Sequence, residues 1–258
     1  LFRDAYHRLE FIVTMHFLEK YLPKKGVILD AGGGPGRYCI ELAKKGYDVV
    51  LLDMSPKCLE LARKKIARAH VENRVRQIVE GSITDMRMFS DEQFDAVLCL
   101  GPFSHLIEKH QRDKAANEII RVAKTSSPLF ISVISLYGVF RVILQRPQLH
   151  YELVDPSHAE LFTHGIHRWH KPRSKKETSF PDAYFWHPRE LKEFFESKGV
   201  KTLQMATCEG LSSHIQGATN KLYRDKEKWA RWTELILKTC TDPVLLGMGE
   251  HLLYIGKK

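Results

Sequence analysis

Apolar and polar positions follow two periods along this chain, and the switches between them mark out its elements. Leu9, Ile12, Val13, Phe17 and Tyr21 recur at helical spacing, which predicts a helix over residues 4–21 that stops before Pro23. Val27 to Leu29 and Val49 to Leu52 are unbroken apolar runs that each close on an acid, Asp30 and Asp53, as buried strands would. Phe94 to Leu100 and Leu129 to Ile134 repeat the strand pattern, and helical spacing returns at about 38–45, 56–69 and 110–124. Further on, Pro188 starts and Gly199 stops a helix in His187 to Lys198, before a strand over Lys201 to Thr207. A last strand is expected over Glu250 to Gly256. The alternation reads as an α/β fold, and no internal repeat interrupts it.

The turn after the first strand is the most specific feature. In Asp30-Ala-Gly-Gly-Gly-Pro-Gly-Arg37 the glycines at 32, 34 and 36 fall as GxGxG. Without Cβ atoms they let the backbone approach a ligand and adopt positive φ. A dinucleotide fingerprint starting at Gly32 would need glycine at 37, where Arg37 stands. Asp30 at the mouth of the loop would repel a diphosphate, whereas it suits a cofactor carrying an ammonium and a sulfonium, S-adenosylmethionine. Asp53 follows 23 residues later, near the spacing at which a strand-end acid meets ribose hydroxyls in a βαβ unit.

On these residues the chain resembles the class I S-adenosylmethionine-dependent methyltransferases. Asp30 to Gly36 matches the glycine motif, Asp53 the ribose acid, Glu80-Gly-Ser-Ile83 the adenine-side loop and Phe94 to Leu100 the fourth strand. The resemblance implies a Rossmann-like seven-stranded sheet with helices on both faces and an antiparallel last strand. It assigns cofactor contacts to Asp30, Gly32, Gly33, Gly34, Gly36, Arg37, Asp53, Met54, Ser82, Ile83 and Leu100. A helix before the core folds over the cofactor in such enzymes, which adds Tyr6 and Arg8 as candidates for shielding it. Two departures stand out: Ser82 occupies a position where the family often has Asp, with Asp85 as a substitute, and Lys124-Thr-Ser-Ser-Pro128 replaces a Lys-Pro-Gly-Gly turn.

The 258 residues fit one domain: an N-terminal helix (1–22), a cofactor-binding core (23–135), an insertion (136–186) and the rest of the core (187–258). A second insertion lies at about 211–249. Both insertions are rich in aromatic residues and are expected to form lids, because loops at the carboxyl ends of strands line the cleft in open α/β sheets. The first also holds His150, His158, His164, His167 and His170, with His187 just beyond it, in no spacing that suggests a metal site. His105, in Gly101-Pro-Phe-Ser-His105, resembles the Ser-Phe-x-His-Leu stretch of small-molecule methyltransferases. It is the candidate base for taking a proton from an amine or hydroxyl acceptor.

The net charge of +9 raises the possibility of a polyanionic partner. Basic residues gather at Arg63, Lys64, Lys65 and Arg68 and in Lys171-Pro-Arg-Ser-Lys-Lys176, without a continuous stripe. The turn Leu100-Gly-Pro-Phe also lacks the Asn-Pro-Pro-Tyr pattern that base-amino methyltransferases resemble there. The expectation is therefore a small-molecule acceptor methylated on N or O. An RNA or protein methyltransferase and a non-catalytic cofactor-binding regulator are the alternatives. Five scattered cysteines, no apolar run of about 18 residues and no apolar leader after Leu1 suggest a cytoplasmic monomer or homodimer without membrane partners.

Overall fold

The computed structural model describes residues 4–168 and 180–258. Trp169, His170 and the basic run from Lys171 to Lys176 lie outside them. After α1 (Tyr6–Tyr21), the first half runs β1 (Val27–Ala31), α2 (Arg37–Lys44), β2 (Asp48–Asp53), α3 (Pro56–Ala69), β3 (Val75–Glu80), β4 (Ala96–Leu100), α4 (Lys109–Val122) and β5 (Pro128–Ile134). The second half runs α5 (Leu136–Gln145), α6 (Ala159–His164), β6 (Ile166–His167), β7 (Ala183–Tyr184), α7 (Pro188–Glu196), β8 (Lys201–Thr207), α8 (Gln216–Leu222), α9 (Lys226–Thr239), α10 (Pro243–Leu246) and β9 (His251–Lys257).

Seven strands form one sheet in the order β3-β2-β1-β4-β5-β9-β8, with β9 antiparallel to both its neighbours. The strand order reverses between β1 and β4, which is where open α/β sheets hold their ligands. The two-residue period sorts the strand side chains onto two faces. Leu29, Val50, Leu52, Val97 and Cys99 join Ile119 of α4 and Phe195 of α7. Ile28, Val49, Leu51, Ala96 and Leu98 join Leu9 of α1, Leu42 of α2 and Ile66 of α3. Each fully buried Leu, Ile or Phe contributes roughly 1.5–3 kcal/mol, so two covered faces favour the apolar runs seen in the sequence.

Differences from the sequence reading have local causes. β3 escapes the apolar pattern because it is an edge strand whose Arg76, Gln77 and Glu80 face solvent. The helix expected to reach 124 ends at Val122, because Ala123 turns extended and bridges to Phe94. α3 starts where Ser55 accepts the Cys58 N–H at 3.3 Å and Pro56 takes the first helical position.

The insertions pack differently. The first builds its own small core from Ile143, Leu149, Leu161, Ala183 and Phe185. In the second, Ile236 is buried with Leu9 and Val13 of α1, and Trp229 and Trp232 pack against the same core. Trp232 also donates its indole N–H to Ser212 Oγ at 2.7 Å. Among the described residues, no helix is long and apolar enough to cross a membrane.

Candidate functional site

The glycine turn leaves β1 and is tied down by backbone bonds: Gly32 and Gly33 donate to the Leu52 carbonyl at 2.7 and 3.1 Å. Gly32 has φ +75°, and a Cβ there would lie 2.2 Å from Pro102 Cγ, so this glycine lets the turn after β4 close on the loop. A Cβ at Gly33 would come within 2.4 Å of both Asp30 Oδ2 and Leu51 Cδ1. The loop therefore accepts no larger residue at either point without rearrangement.

The two acids at the strand ends are held unlike one another. Asp53 Oδ2 accepts the Gly34 N–H and Oδ1 the Ser55 N–H, both at 2.8 Å, so the second acid fixes the tip of the loop. Asp30 is 1 % exposed; its Oδ2 accepts the Cys39 N–H at 3.1 Å, while its Oδ1 is buried with no hydrogen-bond partner. Burial lifts the Asp30 carboxyl to about 7; the Cys39 bond opposes that rise and the Asp53 charge adds to it. An incoming cationic or N–H-bearing group would satisfy Oδ1 and favour ionisation.

Asp30, Gly32, Gly33, Gly34, Arg37 and Leu100 line one cavity of about 400 Å³ with Glu10, Pro35, Tyr38 and Lys65. Gly36, with φ +76°, caps the start of α2, and the Arg37 guanidinium sits 4.6 Å from the Phe11 ring centre. Met54 is 75 % exposed beside Asp53, an apolar side chain left open to solvent. Ser82 Oγ is 2.8 Å from Thr84 Oγ1, and Ile83 is buried in the core with Leu52. Asp85, the substitute for Ser82, has both oxygens on Arg87, at 2.8 and 2.7 Å, and its carboxyl is held down at about 2 by that contact.

Gly36, Asp53, Met54, Ser82 and Ile83 do not line this cavity, and neither do Arg8, Tyr6 and His105. Arg8 stacks over Tyr223 at 5.2 Å, on the groove between α1 and the second insertion. Tyr6, 3 % exposed, donates its hydroxyl to Glu250 and receives the His214 N–H at 3.0 Å. From α1 it is Glu10 that lines the loop cavity. The periodicity marks Glu10 only as a polar neighbour of Leu9, which is why it escaped notice. His105 is exposed; its Nδ1 lies 3.2 Å from the Asp182 carbonyl oxygen, and its ring lies beside Phe180 at 6.3 Å. It docks the first insertion onto the turn after β4 and lines neither this cavity nor the one under that insertion. The second insertion, expected as a lid, lines neither of those cavities, because its apolar face is taken up by α1.

The other histidines have local partners. His187 caps α7 by accepting the Arg189 N–H at 3.1 Å, His150 Nε2 lies 3.1 Å from the Leu144 carbonyl, and the His158 and His167 rings stack at 5.9 Å. Among the described residues no group of three His, Cys, Asp or Glu side chains is arranged to hold a metal.

Comparison with known proteins agrees with this geometry. Residues 28–126 match the family described as a methyltransferase domain. YqeM of Bacillus subtilis (strain 168), a provisionally named methyltransferase, is 32 % identical over 129 residues, covering 49 % of each chain. The glycine/sarcosine N-methyltransferase of Parasynechococcus marenigrum (strain WH8102) is 37 % identical over 109 residues, 40 % of this chain and 36 % of that one. The chain thus spans about half or less of the length of these curated relatives. A crystal structure of an S-adenosylmethionine-dependent methyltransferase from Methanosarcina mazei superposes over 94 % of this chain and 96 % of that one, with a TM-score of 0.62 at 16 % identity. At that identity the likeness speaks for the fold.

Proposed function

We propose that the chain, whose residues 28–126 match a methyltransferase domain on this seven-stranded sheet, is a class I S-adenosylmethionine-dependent methyltransferase that moves a methyl group from S-adenosylmethionine to an N or O atom of a small-molecule acceptor. The observation that carries the reading is the buried Asp30 Oδ1 without a partner, set in a glycine cradle beside a second acid. A Cβ on Gly34 would stand 4.0 Å from Asp53 Oδ2, in the gap between loop and acid that the glycine leaves open. Asp30 and Glu10 offer the cavity two carboxyls for a ligand bearing a sulfonium and an ammonium, while Arg37 and Lys65 on the same lining can face its carboxylate.

In this reading Asp30 takes the cofactor's ammonium end, directly or through water, the Gly32 to Gly34 backbone lies against it, Asp53 receives its ribose hydroxyls and Met54 covers its base. When bound, the cofactor supplies an electrophilic methyl on a positively charged sulfur. The chain's own work is to align acceptor and methyl and to keep water away, since in-line displacement responds strongly to both. His105 acts by joining the first insertion to the β4 turn. Calorimetry with S-adenosylhomocysteine tests the reading: heat of binding that Asp53→Ala diminishes supports it, and no heat with folded protein ends it.

A further inference from the structure

The first insertion closes a second cavity of about 310 Å³, at the small end of the roughly 300–1,000 Å³ usual for ligand sites. Its lining is largely apolar, with Ile134, Val139, Leu149 and Phe185 among the contributors. Polar groups enter mainly at one wall, where Glu250 precedes β9, His251 opens it and Arg146 follows the end of α5. α5 seats directly on that wall, since a Cβ at Gly138 would lie 2.7 Å from the Gly249 carbonyl oxygen and 2.9 Å from Glu250 Cα.

Behind the wall, Glu209 is 2 % exposed and fully engaged. Its Oε2 accepts the backbone N–H groups of Glu250 and His251 at 3.1 and 3.0 Å, and its Oε1 is 2.7 Å from His251 Nδ1. With Nδ1 held, Nε2 is the ring nitrogen left over on a side chain that is 33 % exposed and lines the cavity. Partial burial pulls this imidazole down, but the Glu209 charge and hydrogen bond, with Glu10 and Glu250 nearby, outweigh it and push the group up to about 10. Near neutral pH the ring is therefore a cation. Glu250 is the opposing charge; its Oε1 already takes the Tyr6 hydroxyl and lies 3.3 Å from His214 Nδ1. Besides His167, whose ring stacks on His158 and whose Nε2 lies 3.2 Å from the Phe180 carbonyl oxygen, the cavity thus meets two cations, His251 and Arg146, and one carboxylate that has partners of its own.

We propose, resting on the methyltransferase reading, that this cavity holds the acceptor as an apolar body with one acidic oxygen, bound as an oxyanion against His251 and Arg146. Such an acceptor arrives with its proton already lost to solvent. Its oxygen lone pair forms the new C–O bond as the C–S bond breaks onto sulfur, and no base is needed. The methylated product has lost the charge that held it, which favours its release. A protonated amine would instead face two like charges.

Absorbance titration with 4-nitrophenol near pH 7 tests this, because the spectrum reports the ionised form directly. It is run on the protein with and without S-adenosylhomocysteine. The expected result is that the probe binds as phenolate, more tightly than benzyl alcohol or benzylamine. His251→Gln should weaken binding about tenfold or more, as loss of a charge-assisted hydrogen bond does. Arg146→Gln, at an exposed side chain that leaves the fold intact, should weaken it severalfold. Both variants should keep the wild-type heat of binding for S-adenosylhomocysteine. Tighter binding of benzylamine, or unchanged phenolate affinity in Arg146→Gln and in folded His251→Gln, would overturn the proposal. Absence of heat with S-adenosylhomocysteine would end the methyltransferase reading alone, and the titration of unloaded protein would still decide the cavity's preference.

Discussion

Asp30 and Glu209 are both buried carboxylates at the ligand edge of the sheet, and the structure treats them in opposite ways. Glu209 has three N–H donors, one of them on the cationic His251 imidazole; Asp30 has one donor and an oxygen with nothing to bind. A satisfied carboxylate is part of the architecture, whereas an unsatisfied one is kept at a cost because a ligand will complete it. Stability and binding should therefore separate cleanly between the two.

The largest effect is expected at Glu209. Glu209→Ala strands two backbone N–H groups and removes the His251 counterion, and should lower unfolding free energy by about 3 kcal/mol, read from urea denaturation. An intact midpoint would mean the pair is ornamental. Asp53→Ala should leave the fold standing but weaken S-adenosylhomocysteine binding by about 1–3 kcal/mol in calorimetry, through lost ribose hydrogen bonds and a loosened Gly34. Asp30→Asn sharpens the contrast most. Near neutral pH it should leave the protein at least as stable, because a neutral amide escapes the cost of burying an unpaired charge, while reducing cofactor affinity by about 1–2 kcal/mol.

The pH dependence of the Asp30 site follows with a definite sign. Its carboxyl is raised from 3.8 to about 7, so the folded, ligand-free protein holds this proton more tightly than the unfolded chain. The contribution to stability is present below pH 4 and is lost as pH rises through 7. Affinity for the ammonium-bearing cofactor should run the other way and improve between about pH 6 and 8. Calorimetric titrations across that range check it, and Asp30→Asn should flatten the slope. The smallest effect belongs to His105→Ala, which should leave cofactor affinity unchanged and modestly weaken docking of the first insertion, visible as faster proteolysis there.

The glycine-loop half of the candidate site was legible because its constraints are local. Glycines that must adopt positive φ, an acid closing each strand and apolar runs covered on two faces all leave marks within a few residues of one another. The second cavity left none. Glu209 and His251 are 42 positions apart and meet only because β9 lies between β5 and β8. Glu10 and Tyr6 share a helix, but which of them faces the loop depends on how α1 rotates against the second insertion. His105 drew notice through its surroundings in the chain, whereas the contact of its Nδ1 with the Asp182 carbonyl oxygen spans 77 positions.

The middle position of β9 has a consequence for how the molecule is assembled. Residues 27–134 can lay down five parallel strands with one long crossover, from β3 back to β4 beside β1, whereas residues 251–257 must find a slot between two strands that are far apart in the chain. Until they do, β5 presents an unpaired rim, and such distant closures are slow. The strands that carry the glycine loop and its two acids can thus pair before the wall of Glu250 and His251 exists, so that wall is expected to be the first part lost as the protein is denatured.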